Sequence, residues 1–147
     1  MGFLPHTHGD KEVITVLLKG TLVQKNSLGE TYSLNPGDVQ ILNEGTNISH
    51  FEYNKSKDTT LNCIQFYLTP NINYSTPTRE VITLKPEKVG FQKIIESKID
   101  PDKSSNDLKE VYLYYGFLKV NTQKKYLLKN NENGILILNI SGTMMVN

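Results

Sequence analysis

The chain lacks the features that mark several large classes of protein. It has 16 basic and 15 acidic residues and a formal net charge of +1, so it has no charge excess of the kind that attracts nucleic acid or anionic membranes. No apolar run reaches the ~18 residues of a transmembrane helix, and the first residues lack the basic-then-apolar pattern of a secretory signal. The sequence therefore predicts a cytoplasmic protein with neither direct nucleic-acid partners nor membrane partners.

Cysteine is almost absent, and so are the common catalytic motifs. Cys63 is the only cysteine, which excludes an internal disulfide and fits a reducing compartment. It lies in an apolar run, so we interpret it as a small buried hydrophobe and not as a catalytic thiol. The sequence contains no P-loop, no GxGxxG and no GxSxG.

Short apolar segments separated by turn residues dominate the first half of the chain. Strands are predicted at residues 12–18, 21–25, 31–34, 39–42, 48–53 and 61–68, because each is rich in β-branched and apolar residues. The turns include Asn26-Ser27-Leu28-Gly29 and Asn35-Pro36-Gly37-Asp38, where proline, glycine and aspartate favour chain reversal. Strands at this spacing predict an all-β sandwich or barrel.

The pattern of short strands and turns changes after Pro70. Residues 81–110 combine a short strand at 81–84 with weak helical stretches and a polar run at 100–107, which predicts a linker region. A second β-rich block follows, with strands predicted at 111–120, 125–128, 134–140 and 143–146. The expected division is therefore a domain at 1–80, a linker at 81–110 and the start of a second domain at 111–147.

Every histidine of the chain falls in a spaced pair. Side chains two apart on a strand point to the same face, so His6 and His8 project together if that stretch is extended. His50 and Glu52 form a second such pair. If these strands meet inside a barrel, three imidazoles and one carboxylate converge, a donor set that suits Fe, Ni, Cu, Mn or Zn. The other interpretation is that these are scattered surface or core polar residues.

These segments resemble the pirin family. The resemblance is carried by residues 2–20 (GFLPHTHGDKEVITVLLKG), the turn NSLG, the segment PGDVQ at 36–40 and GTNISHFE at 45–52. It is dense over residues 2–80, and a looser likeness continues over 112–147. The family belongs to the cupin superfamily, so the resemblance implies a double-stranded β-helix, or jelly-roll barrel, with a partial first cupin domain and an incomplete second one.

The resemblance also implies a site and an activity. Pirin-like proteins bind a metal, described as iron, through the residues that correspond to His6, His8, His50 and Glu52. Some members open flavonols such as quercetin with dioxygen, which implies Fe(II) as cofactor, a small aromatic substrate and Glu52 as the catalytic group that also takes a substrate proton. The alternatives are a non-catalytic, metal-dependent regulatory or interaction protein and an inactive fragment of a split gene.

Three further expectations follow from the resemblance. Glu12 occupies a position that is a metal ligand in many cupins, but by analogy with pirins we assign it a supporting or structural role. Phe51, Tyr53, Phe66 and Tyr67 are candidate lining residues of an aromatic pocket, although each is typical of a core as well. Pirins carry further strands before HxH and after the segment that ends here, so we expect a chain truncated at both ends or completed by another chain or an oligomer.

Overall fold

The computed structural model describes residues 2–6, 11–43, 48–68, 77–85, 88–96, 111–129 and 131–146. Every regular element in these ranges is a β-strand, and no helix capable of crossing a membrane occurs among them. The strands are β1 (Gly2–His6), β2 (Glu12–Lys19), β3 (Leu22–Asn26), β4 (Thr31–Leu34), β5 (Asp38–Asn43), β6 (His50–Asn54), β7 (Asn62–Leu68), β8 (Thr78–Thr83), β9 (Gly90–Glu96) and β10 (Tyr112–Phe117). The predicted all-β class is confirmed.

The strands form two four-stranded antiparallel sheets and one hairpin. The first sheet has the order β1-β6-β3-β4, and the second has the order β7-β2-β5-β8. Strands β9 and β10 pair with each other. Since most neighbours in these sheets are not consecutive in sequence, the chain crosses repeatedly between the two sheets, as in a jelly roll.

Both faces of the second sheet are buried. Alternate side chains of β2 pack against different parts of the structure on the two faces. Ile14 and Val16 join a core cluster with Ile95 of β9 and with Val39 and Leu84. Their neighbours Thr15 and Leu17 therefore point to the opposite face. That face meets the first sheet, where Leu17 packs with Leu22 and Leu34. The hairpin of β9 and β10 thus covers one face of the second sheet, and the first sheet covers the other.

Side-chain hydrogen bonds hold the turn between β3 and β4. The Asn26 carboxamide oxygen accepts from the backbone N–H groups of Leu28 at 3.1 Å and Glu30 at 3.0 Å, as expected of an Asx-type turn. Gly29 has a φ of +83°, a conformation that glycine adopts without the penalty of a Cβ. The predicted NSLG turn therefore has a local physical cause.

The second half of the chain differs from the prediction. Gly90–Glu96, within the predicted linker region, is a strand that the prediction did not include, because its pairing with β10 and the packing of Ile95 outweigh weak local propensity. The segments 125–128, 134–140 and 143–146, predicted as strands, contain none. The backbone packs as two compact units, Met1–Phe117 and Leu118–Asn147. The assignment of 1–80, 81–110 and 111–147 to domains and a linker stays a prediction.

Candidate metal centre

Two neighbouring strands bring His6 and His50 together. In the antiparallel pair of β1 and β6, His6 lies directly opposite His50, and the two imidazole rings meet edge to face with centroids 4.7 Å apart. His6 Nδ1 lies 2.7 Å from the Leu4 carbonyl oxygen. A proton on Nδ1 would satisfy this bond and leave Nε2 as the metal-binding atom, the arrangement that commonly orients metal-binding histidines.

Glu52 lies one step deeper on the same face of β6. Its side chain is 2% exposed, and Oε1 lies 4.0 Å from His50 Nε2. Gln24 of β3, which sits directly opposite Glu52, donates to Oε1. Gln65 of β7 donates to Oε1 at 3.2 Å and Oε2 at 3.1 Å. A carboxylate removed from water needs such donors, because burying it without them is costly.

A second polar row faces this one from the other sheet. Gln40, Thr15 and Gln65 are direct cross-strand neighbours on β5, β2 and β7. Gln40 Nε2 donates to Gln24 Oε1 at 2.6 Å, and Arg79 Nε donates to Gln40 Oε1 at 2.8 Å. A continuous chain of hydrogen bonds therefore runs from Arg79 through two buried glutamines to Glu52.

The two end groups of this series of hydrogen bonds, Arg79 and Glu52, determine the orientation of the Gln40 and Gln24 amides. A guanidinium can only donate, so Gln40 must present its oxygen to Arg79. An ionised carboxylate can only accept, so Gln24 must present its nitrogen to Glu52. The head-to-tail arrangement satisfies both glutamines at once, and such chains strengthen their members by mutual polarisation. We call Arg79, Gln40, Gln24 and Glu52 the glutamine relay.

The interior between the two sheets is thus layered. Leu17, Leu22 and Leu34 close one end. The middle layer is polar and contains the buried side chains of Thr15, Gln24, Gln40 and Glu52. The histidines occupy the next row of the first sheet, where Asn26, His50 and His6 are cross-strand neighbours.

A cleft of about 320 Å³ opens at this histidine end. His50 and Gln24 line it together with Tyr32, Leu42 and Arg79. The Arg79 guanidinium lies over the Tyr32 ring, 4.2 Å from its centroid. Burial lowers the pKa of Arg79, while Tyr32 and Asp38 act in the opposite direction. Arginine remains charged at any physiological pH, because its ordinary pKa is so high.

The donors present fit a divalent transition metal in type. Two imidazoles and a buried carboxylate are nitrogen and oxygen ligands of the kind that Zn, Fe, Ni and Cu accept. Across the ranges that the structure describes, no three His, Cys, Asp or Glu side chains are already grouped around one point. His8, the fourth predicted ligand, lies outside the described residues.

Glu12 lies on the face of β2 that points away from the polar layer. It shares the parity of Ile14 and Val16, which pack toward β9, whereas Thr15 points to the polar layer. Alternation along β2 therefore directs Glu12 away from the first sheet, which carries Gln24 and Glu52. The supporting or structural role expected for Glu12 stays a prediction.

The four predicted aromatic residues do not line the described cleft. Phe51 and Tyr53 stack on each other with centroids 5.8 Å apart, Phe66 packs on the cluster that includes Ile14, and Tyr67 donates to Gln65 Oε1 at 3.0 Å. Phe51 and Tyr53 flank Glu52 on β6, and Phe66 follows Gln65 on β7. Because side chains alternate along a strand, these three aromatic residues point away from the side that carries Glu52 and Gln65. Tyr32, which the prediction omitted, is the tyrosine among the described lining residues of the cleft.

Sequence reasoning also missed Gln24, Gln40 and Gln65. Each glutamine follows a β-branched residue within a predicted strand, in LVQ, DVQ and CIQ. A polar side chain in the middle of an apolar strand needs a partner if it is buried. That pattern is a usable signal for a buried polar layer, although it does not show which side chains meet.

Comparisons with known proteins agree with this architecture. Residues 1–68 match the family model described as Pirin. This part of the chain is therefore similar to the pirin family. The fold resembles the solved structure of the pirin relative YhhW from Escherichia coli, with a TM-score of 0.58, 32% sequence identity, and coverage of 76% of this chain and 48% of that one. The predicted cupin architecture is confirmed.

The curated relatives are longer than this chain. Quercetin 2,3-dioxygenase from Escherichia coli K12 is 38% identical over 79 residues, which cover 54% of this chain and 34% of the relative. A pirin-like protein from Caulobacter vibrioides is 38% identical over 69 residues, with coverage of 47% and 29%. The matched part of this chain thus spans about a third of the length of these relatives.

Proposed function

We propose that this chain is a pirin-family protein that binds a divalent transition metal through His6, His8, His50 and Glu52, and that Fe(II) is its physiological metal. The observation that carries the proposal is the cross-strand meeting of His6 and His50 with Glu52 two residues along the same strand face. Bacterial pirin YhhW has been solved in complex with nickel(II) and is 33% identical to this chain, which supports a metal here. Ni, Cu, Mn and Zn remain the alternatives to iron.

We further propose a quercetin-type dioxygenase activity on a small aromatic substrate. Its support is the similarity to proteins named quercetin 2,3-dioxygenase. A bound divalent metal acts as a Lewis acid that polarises a coordinated oxygen and lowers the pKa of its hydroxyl. In the chain itself, Gln24 and Gln65 hold the Glu52 carboxylate in place. Oε2 accepts one of these bonds and Oε1 accepts two, so Oε2 is the better placed oxygen to take a substrate proton.

One observation favours a non-catalytic role as the second candidate. Three amide hydrogen bonds already satisfy Glu52, which suits a permanently buried structural carboxylate as well as a ligand. In that case a metal would serve a regulatory or interaction protein, or the site would be an inactive remnant. Cytoplasmic location and completion by another chain or oligomer stay predictions.

Metal content on anaerobically purified protein tests the proposal. We expect about one first-row metal per chain by mass spectrometry in the wild type, and its loss in His50→Ala and Glu52→Gln. Glu30→Gln is the matched control, because it removes a carboxylate beside the same cleft without touching the ligand set. Circular dichroism of each variant separates loss of metal from loss of fold.

Oxygen consumption separates the two candidates. The metal-loaded wild type should consume oxygen in the presence of quercetin, and His50→Ala should not. Stoichiometric metal without oxygen uptake would favour the non-catalytic role. Soluble wild type without stoichiometric metal would contradict the site itself.

A further inference from the structure

Arg79 is the only arginine of the chain, and all other basic residues are lysines. Arginine differs from lysine in presenting a rigid planar fork that pairs with a carboxylate through two parallel hydrogen bonds. The one residue of this type lies in the wall of the cleft that also reaches His50.

The guanidinium of Arg79 is held from two sides. Its Nε donates to Gln40 Oε1 at 2.8 Å, and Gln40 is itself fully buried. Its flat face lies on the Tyr32 ring. Tyr32 is hydrogen-bonded to Glu30, so the ring that supports the guanidinium is also fixed.

These contacts use one edge and one face of the guanidinium. The remaining edge carries the two Nη groups, whose N–H bonds form the end-on fork for a carboxylate. A side chain whose orientation is already fixed loses less conformational freedom when a ligand binds. Arg79 therefore has the properties of a preorganised anion anchor.

The remaining lining of the cleft fits a small ligand with an apolar body. Leu42 and Ile48 contribute apolar surface, and Lys25 adds a second positive charge. Among the described lining residues, Glu30 is the one carboxylate. It accepts a hydrogen bond from the Asn26 amide at 2.7 Å as well as its bond with Tyr32. The cleft lies at the small end of the range of about 300–1,000 Å³ found for ligand pockets.

We propose that the cleft binds a small organic acid, an aromatic or unsaturated carboxylate, with its carboxylate on the Nη edge of Arg79. Its apolar body would lie among Tyr32, Leu42 and Ile48, in the same cleft as His50. The inference rests on the proposed function only where this ligand is taken to be the substrate. Binding itself requires Arg79 and the cleft, and no metal.

Benzoate and benzamide are matched probes for this anchor, because they share size and shape and differ in charge. We expect NMR titration of isotopically labelled, metal-stripped wild-type protein to show benzoate binding about tenfold tighter than benzamide, as a charged hydrogen-bonded pair would give. The shifted resonances should include those of β4, β5 and β8. Equal affinities, or shifts confined to other strands, would overturn the proposal.

Three variants test whether the preference for benzoate over benzamide depends on Arg79. Arg79→Gln should bring benzoate down to the affinity of benzamide, and Arg79→Lys should keep part of the preference, since it retains the charge without the fork. Lys93→Gln is the control: it removes one positive charge from β9, where Lys93 pairs with Glu96, and should keep the full preference. A preference retained in folded Arg79→Gln would contradict the anchor.

The metal-stripped protein keeps this test separate from the proposed function. Benzoate selectivity that depends on Arg79 would stand even if the wild type bound no metal. Conversely, a protein that binds metal and consumes oxygen but does not discriminate between benzoate and benzamide would overturn the anchor alone.

Discussion

Glu52 and the glutamines beside it show how single residues determine the chemistry of the interior. A carboxylate at 2% exposure is tolerable only because the amides of Gln24 and Gln65 replace the water that it has lost. A bound metal would add a positive charge to the same pocket. The polar layer is therefore consistent with a metal site and is already satisfied by protein groups alone.

The environment of Cys63 predicts an unreactive thiol. Burial raises its pKa above the ordinary value of 9.0, and the nearby charge of Glu52 raises it further. Since only the thiolate reacts, we expect iodoacetamide at pH 8 to modify native protein at least about tenfold more slowly than protein unfolded in urea. Mass spectrometry of quenched samples measures both rates, and equal rates would contradict this assignment.

At the scale of elements, the site depends on two sheets that face each other. Gln24 and Glu52 come from the first sheet, whereas Gln40 and Gln65 come from the second. The hydrogen bonds between these rows join the sheets across the middle of the sandwich. The glutamine relay should therefore contribute to stability as well as to the orientation of Glu52.

Interrupting the relay should destabilise the fold. Gln40→Leu removes the acceptor of Arg79 Nε and the donor to Gln24 Oε1, so we expect a loss of about 1–3 kcal/mol in the free energy of unfolding. Gln92→Leu is the control, because the Gln92 amide donates to the exposed Lys85 carbonyl, and it should cost less than about 1 kcal/mol. Urea denaturation measures both, and equal losses would count against a stabilising relay.

At the scale of the whole molecule, the two compact units differ in how they bury apolar side chains. The ten strands and two core clusters of the described residues all lie in Met1–Phe117. In Leu118–Asn147 the described apolar residues are largely exposed, for example Val120, Leu136 and Met145. The stability of the described fold therefore originates in the first unit.

The pKa shifts predict how this stability depends on pH. Burial is the main cause of the raised pKa of both Cys63 and Tyr67. A raised pKa in the folded state gives stability that is complete below the unfolded pKa and is lost as the pH rises through the folded value. We therefore expect the urea midpoint to fall as the pH rises above about 9.

Two variants test whether Cys63 and Tyr67 cause this loss of stability at alkaline pH. Cys63→Ala and Tyr67→Phe each remove one ionisation, so each should flatten part of the decline in the urea midpoint. Circular dichroism across the alkaline range measures the midpoint of each protein. A midpoint that stays constant from pH 7 to well above the ordinary pKa of tyrosine would contradict the prediction.

The sequence by itself determined the strands β2 to β7, the NSLG turn and the spacing of the metal-type ligands in pairs, because alternation, turn chemistry and spacing are local properties. It also carried the pirin resemblance. Only the tertiary structure decided that His6 lies opposite His50, that the glutamine relay joins Arg79 to Glu52, and that Tyr32 lines the cleft in place of Phe51. These features depend on register between strands that are distant in sequence, and register is set by packing of the whole sandwich.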